Sequence, residues 1–157
     1  MARRSTIPAL VCRPGTEPDI ETLVRFQQGL ARETEDLALD AETLRAGLGA
    51  LMKDPSLGHY WIAESQGRPI GSLMITFEWS DWRNRMIWWI QSVWVEPELR
   101  GQGVYAFLYD HIKSLATADD AVGGIRLYVD KRNQRAQDVY RRLGMNGDHY
   151  TTFEWMK

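Results

Sequence analysis

The stretch Val93-Trp94-Val95-Glu96-Pro97-Glu98-Leu99-Arg100-Gly101-Gln102-Gly103-Val104 runs from a strand-like apolar segment through a proline break and two glycines into a helical pattern. The helix is read from Val104, Phe107, Leu108, His111, Ile112 and Leu115, which share one stripe at helical spacing. A strand that turns into a helix through glycines presents bare backbone N–H groups at the positive end of the helix dipole. Such an end binds phosphate or pyrophosphate, and glycine lets the ligand come close. Arg100 is read as a mobile positive charge beside it. The plainer reading is a loop that uses glycine only to turn. Two nucleotide motifs are excluded: G-x-x-x-x-G-K-[ST] is absent, and Arg100 to Tyr105 does not match G-x-G-x-x-G.

Working outward, three strands precede this junction: Tyr60 to Glu64, Pro69 to Trp79 and Met86 to Val95, separated by polar turns. They predict an antiparallel meander. The third is apolar on both faces, with Trp88, Ile90 and Trp94 on one and Trp89, Val93 and Val95 on the other. That pattern suits a central strand covered by helices on two sides. Upstream, Ala9 to Arg13 reads as a first strand, Ile20, Leu23, Val24, Gln27 and Leu30 as a helix, and Ala41 to Met52 as a second helix entered through Asp40. Downstream, Ile125 to Val129 is a strand, and Ala136, Val139, Tyr140 and Leu143 mark a helix stopped by Gly144. Tyr150 to Met156 supplies a last strand, whose pairing across a homodimer is one arrangement it allows. The order β-α-α-β-β-β-α-β-α-β predicts an α/β fold, a mixed, mostly antiparallel sheet with helices on both faces.

The 157 residues read as one domain, 1–157, with 44% hydrophobic and 25% charged residues, a balance that folds rather than stays disordered. Net charge is −2, so no basic excess points to nucleic acid or a membrane surface as partner. Cys12 is the lone cysteine, which excludes an internal disulfide and fits a cytoplasmic protein. Arg3 and Arg4 near the start are followed by no signal-like apolar run, and no metal-ligand spacing appears, so neither export nor a bound metal is expected. Charge is nevertheless uneven. Residues 32–42 carry Arg32 against Glu33, Glu35, Asp36, Asp40 and Glu42, whereas residues 131–142 carry Lys131, Arg132, Arg135, Arg141 and Arg142 against Asp138. Solvated helix faces are the plain reading of both runs.

A second constellation is Asn133-Gln134-Arg135-Ala136-Gln137-Asp138-Val139-Tyr140-Arg141-Arg142-Leu143-Gly144-Met145. Together with the glycine loop some thirty residues earlier, it resembles the GNAT superfamily of acetyl-CoA-dependent N-acetyltransferases. The resemblance covers nearly the whole chain in element order and Val93 to Met145 in motifs. It implies that the loop Arg100, Gly101, Gln102, Gly103, Val104, Tyr105 and Ala106 holds the coenzyme A pyrophosphate, and that Val93, Trp94 and Val95 pair with the pantetheine arm. It further implies that Asn133, in the motif it forms with Ala136, holds the splayed strands or that arm, and that Tyr140 protonates the departing thiolate. Tyr105 departs from the small residue of the pattern. A ring in the groove obstructs the pyrophosphate, whereas a ring turned away leaves its amide in place.

Transfer from a thioester to an amine needs a neutral nucleophile, stabilisation of the carbonyl oxygen and a proton for sulfur, with no metal. A tyrosine near 10 can donate to a thiolate whose thiol titrates near 8.5. For the acceptor, Glu33 and Glu35 are candidate bases, with Glu33, Glu78, Trp79, Asp81 and Trp82 as binders of an ammonium group through carboxylates and indole faces. Tryptophans capping a core edge are the plain alternative for Trp79 and Trp82. The acidic and basic runs match a cationic acceptor and an anionic donor, which favours a small-molecule amine. A non-catalytic acyl-CoA-binding or protein-interaction module is the rival reading.

Overall fold

The computed structural model describes residues 7–157, and the segment carrying Arg3 and Arg4 lies outside the described residues. The chain forms strands β1 (Leu10–Pro14), β2 (His59–Ser65), β3 (Arg68–Ser80), β4 (Arg85–Val95) and β5 (Val122–Arg126). Helices α1 (Ile20–Glu35), α2 (Ala41–Lys53), α3 (Val104–Ala118) and α4 (Gln134–Arg142) connect them. The sheet order is β1-β2-β3-β4-β5, antiparallel throughout except for the parallel pair β4 and β5. The expected mixed α/β fold is what forms.

Two apolar layers cover the sheet. On one face, α3 buries Val104, Leu108 and Ile112 against Ile70, Leu73, Ile75 and Ile90. On the other, α1 and α2 bury Leu23, Val24, Phe26 and Leu48 against Tyr60, Ile62 and Trp94. Truncating any fully buried member such as Leu108 to alanine costs about 2–5 kcal/mol through the cavity left behind. Gly29 lets α1 approach this closely, since a Cβ there would stand 2.6 Å from the Trp94 ring. Asp19, itself buried, anchors the start of α1 to β1: it accepts from Arg13 Nη1 at 2.8 Å and Nη2 at 2.9 Å. The Arg13 guanidinium holds the Asp19 carboxyl below its usual value.

One bulge in β4 changes the expected faces. Ser72 pairs with Trp94 but Met74 pairs with Gln91, so Ser92 and Val93 both stand opposite Leu73. Ser92 takes φ 53°, the left-handed region that a non-glycine residue rarely occupies. An extra residue reverses the alternation beyond it. Trp88 and Ile90 therefore share the α3 face with Val93 and Val95, and Trp94 crosses to α1, where it stacks on Phe26 at 6.1 Å. The expected grouping of Trp94 with Trp88 and Ile90 is corrected by this insertion.

Two further expectations change. The fifth strand lies three residues earlier than Ile125 to Val129, because Gly123 and Gly124 sit within it. A Cβ at Gly123 would meet Arg85 Cβ at 3.1 Å, so this glycine serves the close approach of β5 to β4. The strand expected over Tyr150 to Met156, and with it the strand through which a dimer was to pair, is absent: this tail carries no regular structure, and Phe153 is 93% exposed. Alternation makes a strand only where a face is available to bury, and α4 offers no buried residue beside it.

Candidate active site

Pairing between β4 and β5 stops at Trp89 and Arg126, so among the described residues β4 from Ile90 to Val95 has a strand partner only on the β3 side. The chain then passes the 3-10 turn Pro97–Leu99 and enters α3. Gly101 at φ 76° and Gly103 at φ 87° make that entry in a conformation that suits glycine. Among the described residues no side chain caps α3, and Phe107 N to Gly103 O at 3.0 Å is its first backbone bond. The amides of Val104, Tyr105 and Ala106 are thus donors without helical partners.

Arg100 is fixed, which corrects the mobile charge expected of it. Its Nε donates to Val95 O at 2.9 Å, its Nη2 stands 3.0 Å from Glu33 Oε2, and its guanidinium lies 4.9 Å over the Trp94 ring. It ties the loop to the end of β4 and the last turn of α1. Among the described residues, the cation at the loop without an ion pair is Arg135, whose Nη2 lies 3.9 Å from the Cβ position of Gly101. In the sequence it was visible only as one member of a basic run. Gln102 turns away and donates to Glu98 O at 3.1 Å.

Tyr105 turns its ring from the loop into the layer between α3 and α4, 6.2 Å from Tyr109 and edge-on to Tyr140 at 5.6 Å. Its hydroxyl is buried without a partner among the described residues, and burial pushes its phenol upward. The ring therefore leaves the loop amides uncovered. Asn133 begins α4 and accepts from Ala136 N at 3.0 Å, capping the helix that carries Tyr140. Tyr140 is half-buried, and desolvation raises its phenol above the usual 10.

A cleft of about 1390 Å³ opens between the splayed strands and the tail. Glu35, Glu78, Trp79, Asp81, Trp82 and Tyr140 all line it, residues from α1, β3, the β3–β4 turn and α4. Glu78 accepts from Trp89 Nε1 at 3.0 Å and Arg126 Nη1 at 2.8 Å, so two residues unremarked as site members set its position. Their proximity depends on register between β3, β4 and β5, for which no local motif exists. Trp79 and Trp82 are 58% and 89% exposed, so neither caps a core edge. Glu33 is not in the cleft wall but in the ion pair with Arg100. Asp81 Oδ1 accepts from Trp82 N at 2.9 Å.

The remaining reactive side chains stand apart. Cys12 packs against the α3 layer, and burial pushes its thiol up to about 11, away from thiolate chemistry. His111 meets Trp61 with rings tilted at 58° and centroids 4.8 Å apart, and His59 meets Phe77 edge-on. Among the described residues, no group of three or more His, Cys, Asp or Glu is placed to hold a metal ion, and no helix is long and apolar enough to cross a membrane.

A mixed sheet splayed at its parallel pair, with an uncapped glycine-turned helix beside the splay, defines the class of coenzyme A-dependent acyltransferases. The chain belongs to the acetyltransferase (GNAT) family, whose pattern matches residues 20–145. It is 30% identical over 148 residues to the thialysine N-epsilon-acetyltransferase of Sus scrofa, covering 87% of this chain and 84% of that one. A solved structure of a possible acetyltransferase from Clostridium difficile 630 is 36% identical, with TM-score 0.87 over 94% of this chain and 97% of that one. A predicted acetyltransferase from Clostridium acetobutylicum solved with acetyl-CoA shares the fold at TM-score 0.74 and 22% identity, over 92% and 96% of the two chains. The protein is an N-acetyltransferase of this family, and acetyl-CoA is the family's donor.

Proposed function

We propose that the chain moves an acetyl group from acetyl-CoA to the primary amine of a small cationic acceptor, by direct transfer with both substrates bound. The observation that carries this reading is the single cleft into which Tyr140, Glu35, Glu78 and the two exposed indoles converge beside the open edge of β4. The uncapped amides of α3 fit a pyrophosphate: donors and the positive dipole end converge there, Gly101 leaves room, and Arg135 adds charge. The loop from Arg100 to Ala106 would hold that group, and Val93, Trp94 and Val95 would offer backbone to the pantetheine arm. Bound there, the donor supplies an acetyl carbon activated by its thioester.

The chain's own residues manage charge and protons. An aliphatic ammonium near 10.4 must lose a proton before its nitrogen can attack. Glu35 is the base favoured, because it lines the cleft with Tyr140, while Glu33 is held by Arg100. Glu78, set by Trp89 and Arg126, joins Asp81, Trp79 and Trp82 in receiving the ammonium. Nitrogen bonds to the carbonyl carbon, the carbon–sulfur bond breaks, the sulfur leaves with its electron pair and takes the Tyr140 proton, and the surplus proton of the new amide nitrogen is released, through solvent, to restore the Tyr140 phenol. Amides released from the ladder by the bulge at Ser92 and Val93 are the type of donor that steadies the carbonyl oxygen. Asn133 positions Tyr140 by capping α4, with Ala136 as the capped amide. The lone thiol of Cys12 supports a reducing, cytoplasmic setting.

The name of the Sus scrofa relative, which refers to the ε-amino group of thialysine, supports a small acceptor. A panel of polyamines, aminoglycoside-like compounds, amino acid amides and peptides tests this with acetyl-CoA as donor. Small cationic amines are expected to give the highest kcat/KM. Peptide amino termini outcompeting every small amine overturns the acceptor class, and acetyl-CoA binding with no product from any amine favours the non-catalytic module.

A further inference from the structure

Tyr105 is the second residue of α3, at the position where it departs from the small residue of the loop pattern. A phenol there calls for a physical reason. Its hydroxyl gives none, because the oxygen is buried and makes no hydrogen bond among the described residues, an arrangement that lowers stability. Its amide is one of the helix-start donors, a part that any residue except proline can play. What remains is the ring.

That ring is the middle one of three. Tyr109, one turn further along α3, belongs to the core beneath the sheet and is only 6% exposed. Its ring centroid lies 6.2 Å from that of Tyr105. Tyr105 in turn meets Tyr140 at 5.6 Å with the planes at 67°, the edge-to-face arrangement that aromatic pairs favour. The row therefore runs from a ring fixed in the core to the phenol that lines the cleft.

Tyr140 has little else to set its side chain. It sits on α4, a helix of nine residues none of which is buried. The ends of α4 are closed by local bonds: Asn133 accepts from Ala136 N at 3.0 Å, and Met145 N donates to Tyr140 O at 3.0 Å. These fix the backbone and leave the side chain free to choose. An aromatic residue on a helix has two χ1 rotamers open to it, and a change from one to the other carries the phenol oxygen to a different place. Among the described residues, Tyr105 is the one ring against which Tyr140 rests.

We infer that Tyr105 is a positioning residue for the acid: through its edge-on contact, braced from behind by Tyr109, it holds Tyr140 in the rotamer that delivers a proton to the leaving sulfur. The inference rests on the reading of Tyr140 as the acid. It gives one residue two parts, an amide among the donors at the helix start and a ring that sets the acid. The helix start that receives the donor thereby also registers the group that protonates its sulfur. An alanine at position 105 would leave Tyr140 without this stop.

The test measures kcat with acetyl-CoA and the panel amine of highest kcat/KM, and acetyl-CoA affinity by calorimetry. Tyr105→Leu keeps apolar bulk and a good helix former while removing the ring, and Tyr105→Ala repeats the removal without bulk. Both keep the loop amide. Each is expected to lower kcat about tenfold, the scale of a displaced catalytic group, with acetyl-CoA affinity retained. Tyr105→Phe, which puts a ring back, should recover most of that loss. The deciding comparison is made in Tyr140→Phe, where there is no proton to place and adding Tyr105→Leu should leave the residual kcat as it stands. Wild-type kcat in both ring-removing variants overturns this inference alone. So does an equal fall with and without the Tyr140 hydroxyl, which makes the ring a part of the fold only, or a loss of acetyl-CoA affinity matching the loss of kcat, which assigns the ring to the loop. Unchanged kcat in Tyr140→Phe with Tyr105 intact, or no product from any amine, overturns the reading of the acid or of the enzyme, and this inference with it.

Discussion

The two halves of the candidate site are built from different materials. The α3 side is backbone: three helix-start amides, two glycines in the left-handed region and a strand edge left open where β5 diverges. The amine side is side chains, gathered from α1, β3, β4, β5 and α4 around one cleft. A backbone site tolerates most side-chain changes and fails when its conformation is blocked. A side-chain site fails one residue at a time. Substitutions should therefore separate the halves, one moving acetyl-CoA affinity and the other moving the amine.

The sharpest break is at Tyr140, where the halves meet. Tyr140→Phe keeps the ring against Tyr105 and removes the proton, so kcat should fall about a hundredfold or more, with acetyl-CoA affinity held. Because burial raises this phenol, loss of its proton should not depress kcat below pH 10 in the wild type. Unchanged kcat in Tyr140→Phe removes the acid role.

Gly103→Val addresses the backbone half alone. It places a branched side chain at φ 87° on the helix start, and acetyl-CoA should bind about tenfold or more weakly while the KM for amine stays put. Glu78→Gln is the complementary change. It takes the charge from a carboxylate that Trp89 and Arg126 hold in the cleft, so the KM for a cationic amine should rise several-fold with acetyl-CoA affinity unaltered. If both variants move both substrates equally, the division into halves is wrong.

Asp19→Asn serves as the control outside either half. It loses charge-assisted bonds to Arg13, which should lower stability by about 2 kcal/mol in a denaturant titration without changing either KM. Since the folded-state carboxyl is held below 3.8, its contribution is present above that value and lost as pH falls through the depressed one. The wild type should accordingly converge on Asp19→Asn in strong acid.

What could be read from the chain followed the same division. Glycines at 101 and 103 after an apolar strand, and Asn133 seven residues before Tyr140, are local signals of backbone conformation, and the structure forms the elements they mark. Glu35, Glu78, Trp79, Asp81 and Trp82 were legible as chemistry, but Trp89 and Arg126, which fix Glu78, depend on strand register. The bulge at Ser92 was equally hidden, since nothing in Gln91-Ser92-Val93 announces an inserted residue, yet it sends Trp94 to the other face. Glu33 and Arg100 illustrate the converse: read as site charges, they neutralise each other, because the last turn of α1 ends beside the loop. Alternation in the tail suggested a strand for which the fold provides no partner.

The central claim is that the α3 helix start holds the phosphates of acetyl-CoA, and calorimetric titration tests it most directly. Acetyl-CoA and S-acetylpantetheine present the same thioester and arm, and only the first carries the pyrophosphate. The account predicts that acetyl-CoA binds at least tenfold more tightly than S-acetylpantetheine, and that Gly103→Val removes most of that advantage. Equal affinity of the wild type for the two compounds, or no binding of either, would contradict it.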